Sequence, residues 1–307
     1  MKLFDAHCDV LLKMWEDRNL SFKDSTKLHI NLDRLQAGGG RIQCFALFIP
    51  EEVPMFTKFQ AALEMVDIFN ERILARHKNM KLVTTKKEID ELGADEIGAV
   101  LTLEGCDAID IDLMKLRTLF RLGVTSVGLT WNNANACADG AMESRRAGLT
   151  DFGRLVVREN NKNRVWTDVS HLSEAAFWDV MEIADFPVAS HSNAKALCDH
   201  PRNLNDRQIQ ALFEKGGVMG TVFCPKFLRE DENASLDDVF RHIEHICELG
   251  GEKQLGFGSD FDGIDRTPKG LDHYGAYPEL IEGLLKRYSE NTVKDFCFNN
   301  FARHYPR

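Results

Sequence analysis

The sequence has no apolar run long enough to span a bilayer. Its N-terminus, MKLFDAHCDVLLKMW, is broken at once by Asp5, His7 and Asp9, which also leaves no secretory hydrophobic region. A cytoplasmic chain with no membrane partner is expected. There is no CxxC pair either. The eight cysteines (Cys8, Cys44, Cys106, Cys137, Cys198, Cys224, Cys247 and Cys297) are scattered over the whole length, which suits neither a disulfide scaffold nor a zinc ribbon and makes small buried hydrophobes their expected role. Positive charge is in short supply: 38 Lys plus Arg against 48 Asp plus Glu give a formal charge of −10, without the basic stripe that tracks a phosphate backbone. Nucleic acid is therefore not an expected partner. Neither an internal repeat nor a linker rich in Pro, Gly or Ser divides the chain. A composition of 44% hydrophobic and 28% charged residues is that of a globular protein, and 307 residues suffice for a single barrel domain over residues 1–307.

Eight short β-rich apolar runs recur along the chain, at 2–11, 41–50, 97–105, 126–131, 165–172, 186–193, 217–225 and 254–263. Amphipathic stretches such as 58–78, 108–122, 173–184, 205–215 and 235–249 separate them, with N-caps expected at Ser173, Asn205 and Ser235. Only the connection after the first strand shows no clear helix. Near-continuous apolar strands alternating with helices indicate parallel pairing, and eight such units closing on themselves predict an α/β fold, a TIM-type (β/α)8 barrel. Two further helices, at about 278–288 and 290–304, are expected after the last strand.

Metal-binding residue types interrupt these apolar runs, each near the C-terminal end of a strand, the face where barrel enzymes place their sites. His7 and Asp9 are two apart, so on a strand both point to one side. Glu104 ends the third strand, His171 the fifth, His191 the sixth and Asp260 the eighth. A single such residue is more often a hydrogen-bonded core or rim group. Several imidazoles and carboxylates around one rim, however, need a cation to offset their charge and lone pairs. Three His with Asp and Glu suit zinc, with manganese, iron or cobalt as substitutes.

Other motifs carry less. His242 and His245 lie three apart on a predicted helix, in neither the HExxH nor the HxxEH pattern, and are expected to be solvated or to support other residues. Asp260, Asp262 and Asp265 do not form a calcium loop, since Gly263 is misplaced and no Glu stands at the twelfth position. Gly38–Gly40 precedes a strand and is not a phosphate cradle. Cys8, between His7 and Asp9, is expected to pack on the opposite face.

The segments FDAHCD (4–9), TLEG (102–105), DVSHLS (168–173), PVASHSNAKALCDHPRNLND (187–206) and GFGSDFDG (256–263) together resemble the membrane (renal) dipeptidase family of zinc peptidases, within the metal-dependent amidohydrolase-like barrels. The resemblance covers residues 3 to 304. It implies that His7, Asp9 and Glu104 hold one zinc and Glu104, His171 and His191 a second, with Glu104 bridging. It further implies that Asp260 is the acid/base residue, that Arg202 receives the carboxylate of a small dipeptide substrate, and that the protein forms a homodimer. Two such cations can share a hydroxide near neutral pH, the implied nucleophile.

One departure stands out. Where the family has a His in a fourth-strand LTH motif, this chain reads LTWNN, with Trp131. An amide of Asn132 or Asn133 is the expected replacement donor toward the substrate, and Phe223 the replacement for a substrate-contacting Tyr. The alternatives are another metal-dependent amidohydrolase on the same barrel, a deaminase or lactonase, and a barrel that binds metal or peptide without turnover.

Overall fold

The computed structural model describes residues 1–307 and contains nine parallel strands: β1 Leu3–Asp5, β2 Gly40–Phe48, β3 Met80–Leu82, β4 Ile97–Glu104, β5 Val124–Gly128, β6 Trp166–Asp168, β7 Pro187–Ala189, β8 Val218–Thr221 and β9 Leu255–Phe257. The sheet runs β2-β1-β9-β8-β7-β6-β5-β4, and β4 pairs back onto β2 from Ile42↔Gly98 to Phe48↔Glu104. Eight strands thus close into the expected barrel. The ninth, β3, pairs only with the first half of β4, at Ile97–Ala99, below the point where Leu101 takes up Val124. Its sequence MKL exposes two of three side chains, which is why no apolar run announced it.

All eight expected strands are present, though the regular ladders are shorter than the apolar runs. The surplus residues continue past the C-terminal ends as the buried turns that form the mouth. Helices fill the connections, and their N-caps follow from the sequence. The Ser173 hydroxyl accepts from the Ala176 N–H, and Asn205 and Gln208 form a reciprocal capping box. At Ser235 the Asp238 carboxylate takes the N–H of the cap residue. The connection after β1 differs from expectation: it carries two helices, Val10–Glu16 and Leu32–Gly38. The first begins at Val10, inside the run 2–11 that reads as a strand, and its N-cap Asp9 makes no side-chain capping bond, so the sequence does not mark where the helix starts. The C-terminal helices lie at Tyr277–Leu285 and across 290–304.

One end of the barrel is sealed. Phe301 stacks on Phe4 of β1 with centroids 5.2 Å apart, and Tyr305 meets the edge of Trp166 of β6 at 4.9 Å. These two join Ile42, Val100, Val188 and Val218 in one buried cluster. Burying such aromatic and aliphatic surface stabilises each side chain by about 1.5–3 kcal/mol. The chain's own C-terminus therefore stops the bottom, and access to the barrel interior is from the other end, where the strands finish.

Candidate metal centre and cavity

At that open end the polar residues converge. His7 and Asp9 lie just past β1, Glu104 ends β4, His171 follows β6, His191 follows β7 and Asp260 follows β9. His7 and Asp9 do not meet by strand alternation as expected. The ladder stops at Asp5, and Asp9 already turns into the helix Val10–Glu16, its N–H bonded to the Phe261 carbonyl. The turn nevertheless brings His7 Nε2 to 3.3 Å from Asp9 Oδ2. His171 and Asp260 have φ of +69° and +61°, a left-handed backbone that side chains adopt at a cost of order 1–3 kcal/mol and that aims both into the mouth.

Glu104 sits at the centre. Its Oε2 is 3.3 Å from His7 Nε2, while its Oε1 is 3.0 Å from His171 Nε2 and 3.6 Å from His191 Nε2. The two oxygens of one carboxylate thus face two different groups. Asp260 Oδ1 stands 3.9 Å from His7 Nε2, so His7, Asp9 and Asp260 also form a compact trio. Gly263 is required beside them, because a β-carbon there would collide with the carboxylates of Asp9 and Asp260.

The donor set fits a cation. His171 Nδ1 faces the Asn132 side-chain oxygen at 2.9 Å and His191 Nδ1 faces the Ser190 hydroxyl at 2.7 Å, which leaves the Nε2 atoms directed at one another 2.9 Å apart. Burial, reinforced by Arg202, lowers the His171 pKa to about 3, and burial with His7 depresses that of His191 well below the usual value. Both rings are therefore neutral and present lone pairs. Burial opposes charge on His7 as well, but Glu104 and Asp9 outweigh it and raise its pKa well above the ordinary value. Glu104 is pulled well down by its imidazole neighbours despite burial, whereas burial, Asp9 and Glu104 push Asp260 well up against the opposing pull of His7. His7 Nε2 and Asp9 Oδ1 are buried without a hydrogen-bond partner. Lone pairs, unpaired polar atoms and crowded carboxylates in a buried pocket are what a divalent cation offsets.

A cavity of about 440 Å³ opens over this cluster and is lined by Asp9, Glu104, Trp131, Asn132, His171, Arg202 and Asp260 among others. Arg202, Trp131, Asn132 and Asp260 all reach it, whereas Asn133 and Phe223 do not. Arg202 is buried, bonded through one amino group to the His191 carbonyl at 3.2 Å, with its Nε unpartnered and the ring of Phe227 5.4 Å away. Asn133 instead bonds Glu51 on the exposed rim, which leaves Asn132 as the cavity-facing amide.

Some residues departed from expectation. Phe223 does not line the cavity; it is fully buried against Phe257, Phe261 and Tyr277. His242 takes the supporting role of the two expected: its Nδ1 accepts from the Ala194 N–H and its Nε2 donates to the Leu228 carbonyl, tying two rim loops together. His245 does sit near the surface, paired with Asp206. Seven of the eight cysteines are buried and none is in a disulfide, Cys8 packing in the core as expected. Sequence reasoning missed Asp5, which accepts from the backbone of Ser259 and His7 and from the Tyr277 hydroxyl. Burial, offset by those bonds, moves its pKa to about 6. It also missed Asp168, which accepts from the N–H groups of Ser170 and Ser190. Both are acids at strand ends within the quoted motifs, a signal that was legible but assigned to neither ligand nor acid.

A closed parallel barrel with clustered imidazoles and carboxylates at its strand ends defines a (β/α)8 barrel with a candidate metal centre at its mouth. Within that class, the chain belongs to the membrane dipeptidase family (peptidase family M19), whose family model matches residues 1–306. It is 30% identical to dipeptidase 3 of Mus musculus across 98% of its own length, and it spans 63% of the length of that relative. Among solved structures it resembles a metallo peptidase from Rhodobacter sphaeroides, liganded with a phosphinate mimic of the dipeptide L-Ala-D-Ala. The TM-score is 0.94 at 28% identity, covering 100% of this chain and 99% of that one. It also resembles dipeptidase AC of family M19, with a TM-score of 0.93 at 30% identity, covering 100% and 98%. No helix of the protein is long and apolar enough to cross a membrane.

Proposed function

We propose that residues 1–307 act as a single metal-dependent dipeptidase domain that hydrolyses dipeptides with a free C-terminal carboxylate. The observation that carries this reading is the Glu104 carboxylate, whose two oxygens face separate histidine groups beneath a cavity that also holds a buried arginine. His7, Asp9 and Glu104 would hold one divalent cation and Glu104, His171 and His191 a second, with zinc the expected ion and manganese, iron or cobalt able to replace it. When bound, such cations would supply Lewis-acid polarisation of a carbonyl oxygen and would lower the pKa of a nearby water.

The chain's own residues do the rest. Arg202, desolvated and with an unpartnered Nε, presents a planar fork to the substrate's terminal carboxylate. That contact places the scissile bond one residue away, over the cluster, and restricts the substrate to dipeptides. Asp260 is the most exposed carboxylate of the cluster, at 14% against 4% for Asp9 and 9% for Glu104. It takes the proton of the water that adds to the scissile carbonyl and returns it to the amine that leaves as the C–N bond breaks. Trp131 and the Asn132 amide contact the substrate from the loop after β5, while the Asn132 oxygen orients His171. The unpaired thiols are consistent with a reducing, cytoplasmic setting.

The test is turnover of L-Ala-L-Ala and L-Ala-D-Ala by metal-replete protein, with metal content measured on the same preparation. About two ions per chain and release of free alanine are expected. Arg202→Ala should cost about 2–4 kcal/mol in kcat/KM for free dipeptides and much less for C-terminally amidated analogues. Full metal loading without hydrolysis of any dipeptide would sink the proposal, and equal losses on free and amidated substrates would remove Arg202 from carboxylate recognition.

A further inference from the structure

Around the barrel the strands run β2, β4, β5, β6, β7, β8, β9, β1. Phe48 closes β2 and Trp131 follows β5, so the two flank the end of β4, and their ring centroids lie 5.2 Å apart at 55°. Leu12 and Met142 line the same cavity. Arg202 and Phe227 come from the connections after β7 and β8, across the ring of strands, and the histidine and carboxylate cluster lies between the two walls. Trp131 also stands 6.1 Å from the ring of His171, so the aromatic wall begins directly beside the cluster.

We infer, on the reading that Arg202 takes the terminal carboxylate, that Phe48 and Trp131 receive the side chain of the substrate's N-terminal residue and select dipeptides whose first residue is aromatic or large and apolar. With the carboxylate held on the β7–β8 side, the C-terminal residue is confined there and the scissile carbonyl falls over the cluster. The remaining side chain then faces the opposite wall. Two tilted aromatic rings gain from a third more than the buried area alone provides, and one missing methylene in such a pocket discriminates by about tenfold or more. None of Leu12, Phe48, Trp131 and Met142 carries a positive charge, so an acidic first residue would be desolvated there without a partner. Trp131, which replaces the family's His, thereby becomes a specificity residue of this chain.

The experiment compares kcat/KM of metal-replete protein for L-Phe-L-Ala, L-Ala-L-Phe and L-Ala-L-Ala. Phe-Ala should exceed Ala-Ala by about tenfold or more, and by more than Ala-Phe does. The ratio of Phe-Ala to Ala-Ala should fall toward one in Phe48→Ala and in Trp131→Ala, and survive in Trp131→Phe, which keeps an aromatic face. A ratio near one in the unaltered protein, a preference for Ala-Phe, or a ratio untouched by both alanine variants overturns the inference. If no dipeptide is hydrolysed, calorimetric binding of the same three peptides separates the two readings. Tighter binding of Phe-Ala that is lost in Trp131→Ala keeps the aromatic wall while the peptidase reading falls, and equal binding of all three overturns both.

Discussion

A carboxylate at the edge of a buried donor cluster can either complete a cation's coordination or carry a proton, and Asp260 is placed for both. Its Oδ1 lies within reach of the His7–Asp9 pair, yet its side chain is the most open to the cavity. Asp260→Asn keeps the size and one oxygen acceptor but cannot take the proton. As the acid/base residue it should retain both ions and a nearly normal KM while kcat falls by a factor of about 10² to 10⁴. Metal content and steady-state kinetics on one preparation decide the matter. Loss of an ion makes Asp260 a ligand, and a near-normal kcat with both ions bound means that the proton travels elsewhere.

The elements contribute through what they carry past their own ends. Glu104 ends its strand, but His7, His171, His191 and Asp260 lie two or three residues past theirs, and the connecting turns are held by buried polar side chains. Asp5 and Asp168 take two backbone N–H groups each, and His242 clamps Ala194 to Leu228. The His242 clamp needs a neutral ring, because its Nδ1 must accept. Burial lowers its pKa from 6.5 to about 4. The unfolded chain therefore binds a proton between those two values that the folded chain refuses. The stability linked to this ring is complete above pH 6.5 and is lost as the pH falls toward 4, by up to about 3 kcal/mol. Denaturant unfolding of metal-free protein at pH 7 and pH 4.5 should show His242→Gln less stable than the parent at pH 7, with a smaller loss on acidification. Equal losses in the two proteins would mean that the ring does not carry this pH dependence.

For the whole molecule, five strand ends far apart in sequence bring imidazoles and crowded carboxylates into one cluster, so ion binding there would be coupled to the closure of the barrel. Ions that bind only the folded state stabilise it by about 4 kcal/mol per site at a thousandfold excess over Kd. Chelation should lower the Tm by several degrees and re-addition of zinc should restore it, as read by scanning calorimetry. An unchanged Tm would mean that the cluster does not hold ions in the folded protein. The sealed bottom, with Phe301 and Tyr305 packed on Phe4 and Trp166, leaves the mouth as the end of the barrel open to ions and substrate.

The amino-acid sequence alone determined the barrel and the identity of the clustered residues, because both are local signals. Apolar β-rich runs alternating with capped helices specify parallel strands, and a His or carboxylate inside such a run is costly unless it has a partner. It could not announce β3, whose three residues are mostly exposed and gain their place only by pairing with β4. Nor could it separate the helix Val10–Glu16 from the strand before it, since the β-rich run 2–11 reaches into the helix and no capping side chain marks its start. Only the tertiary structure decided which atoms meet: that the two oxygens of Glu104 look in different directions, that Asn132 and Ser190 hold the histidine rings, that Phe223 turns inward, and that Phe48 and Trp131 share a wall. These contacts join residues from different strands, and their distances are set by how the barrel closes rather than by the spacing of neighbours along the chain.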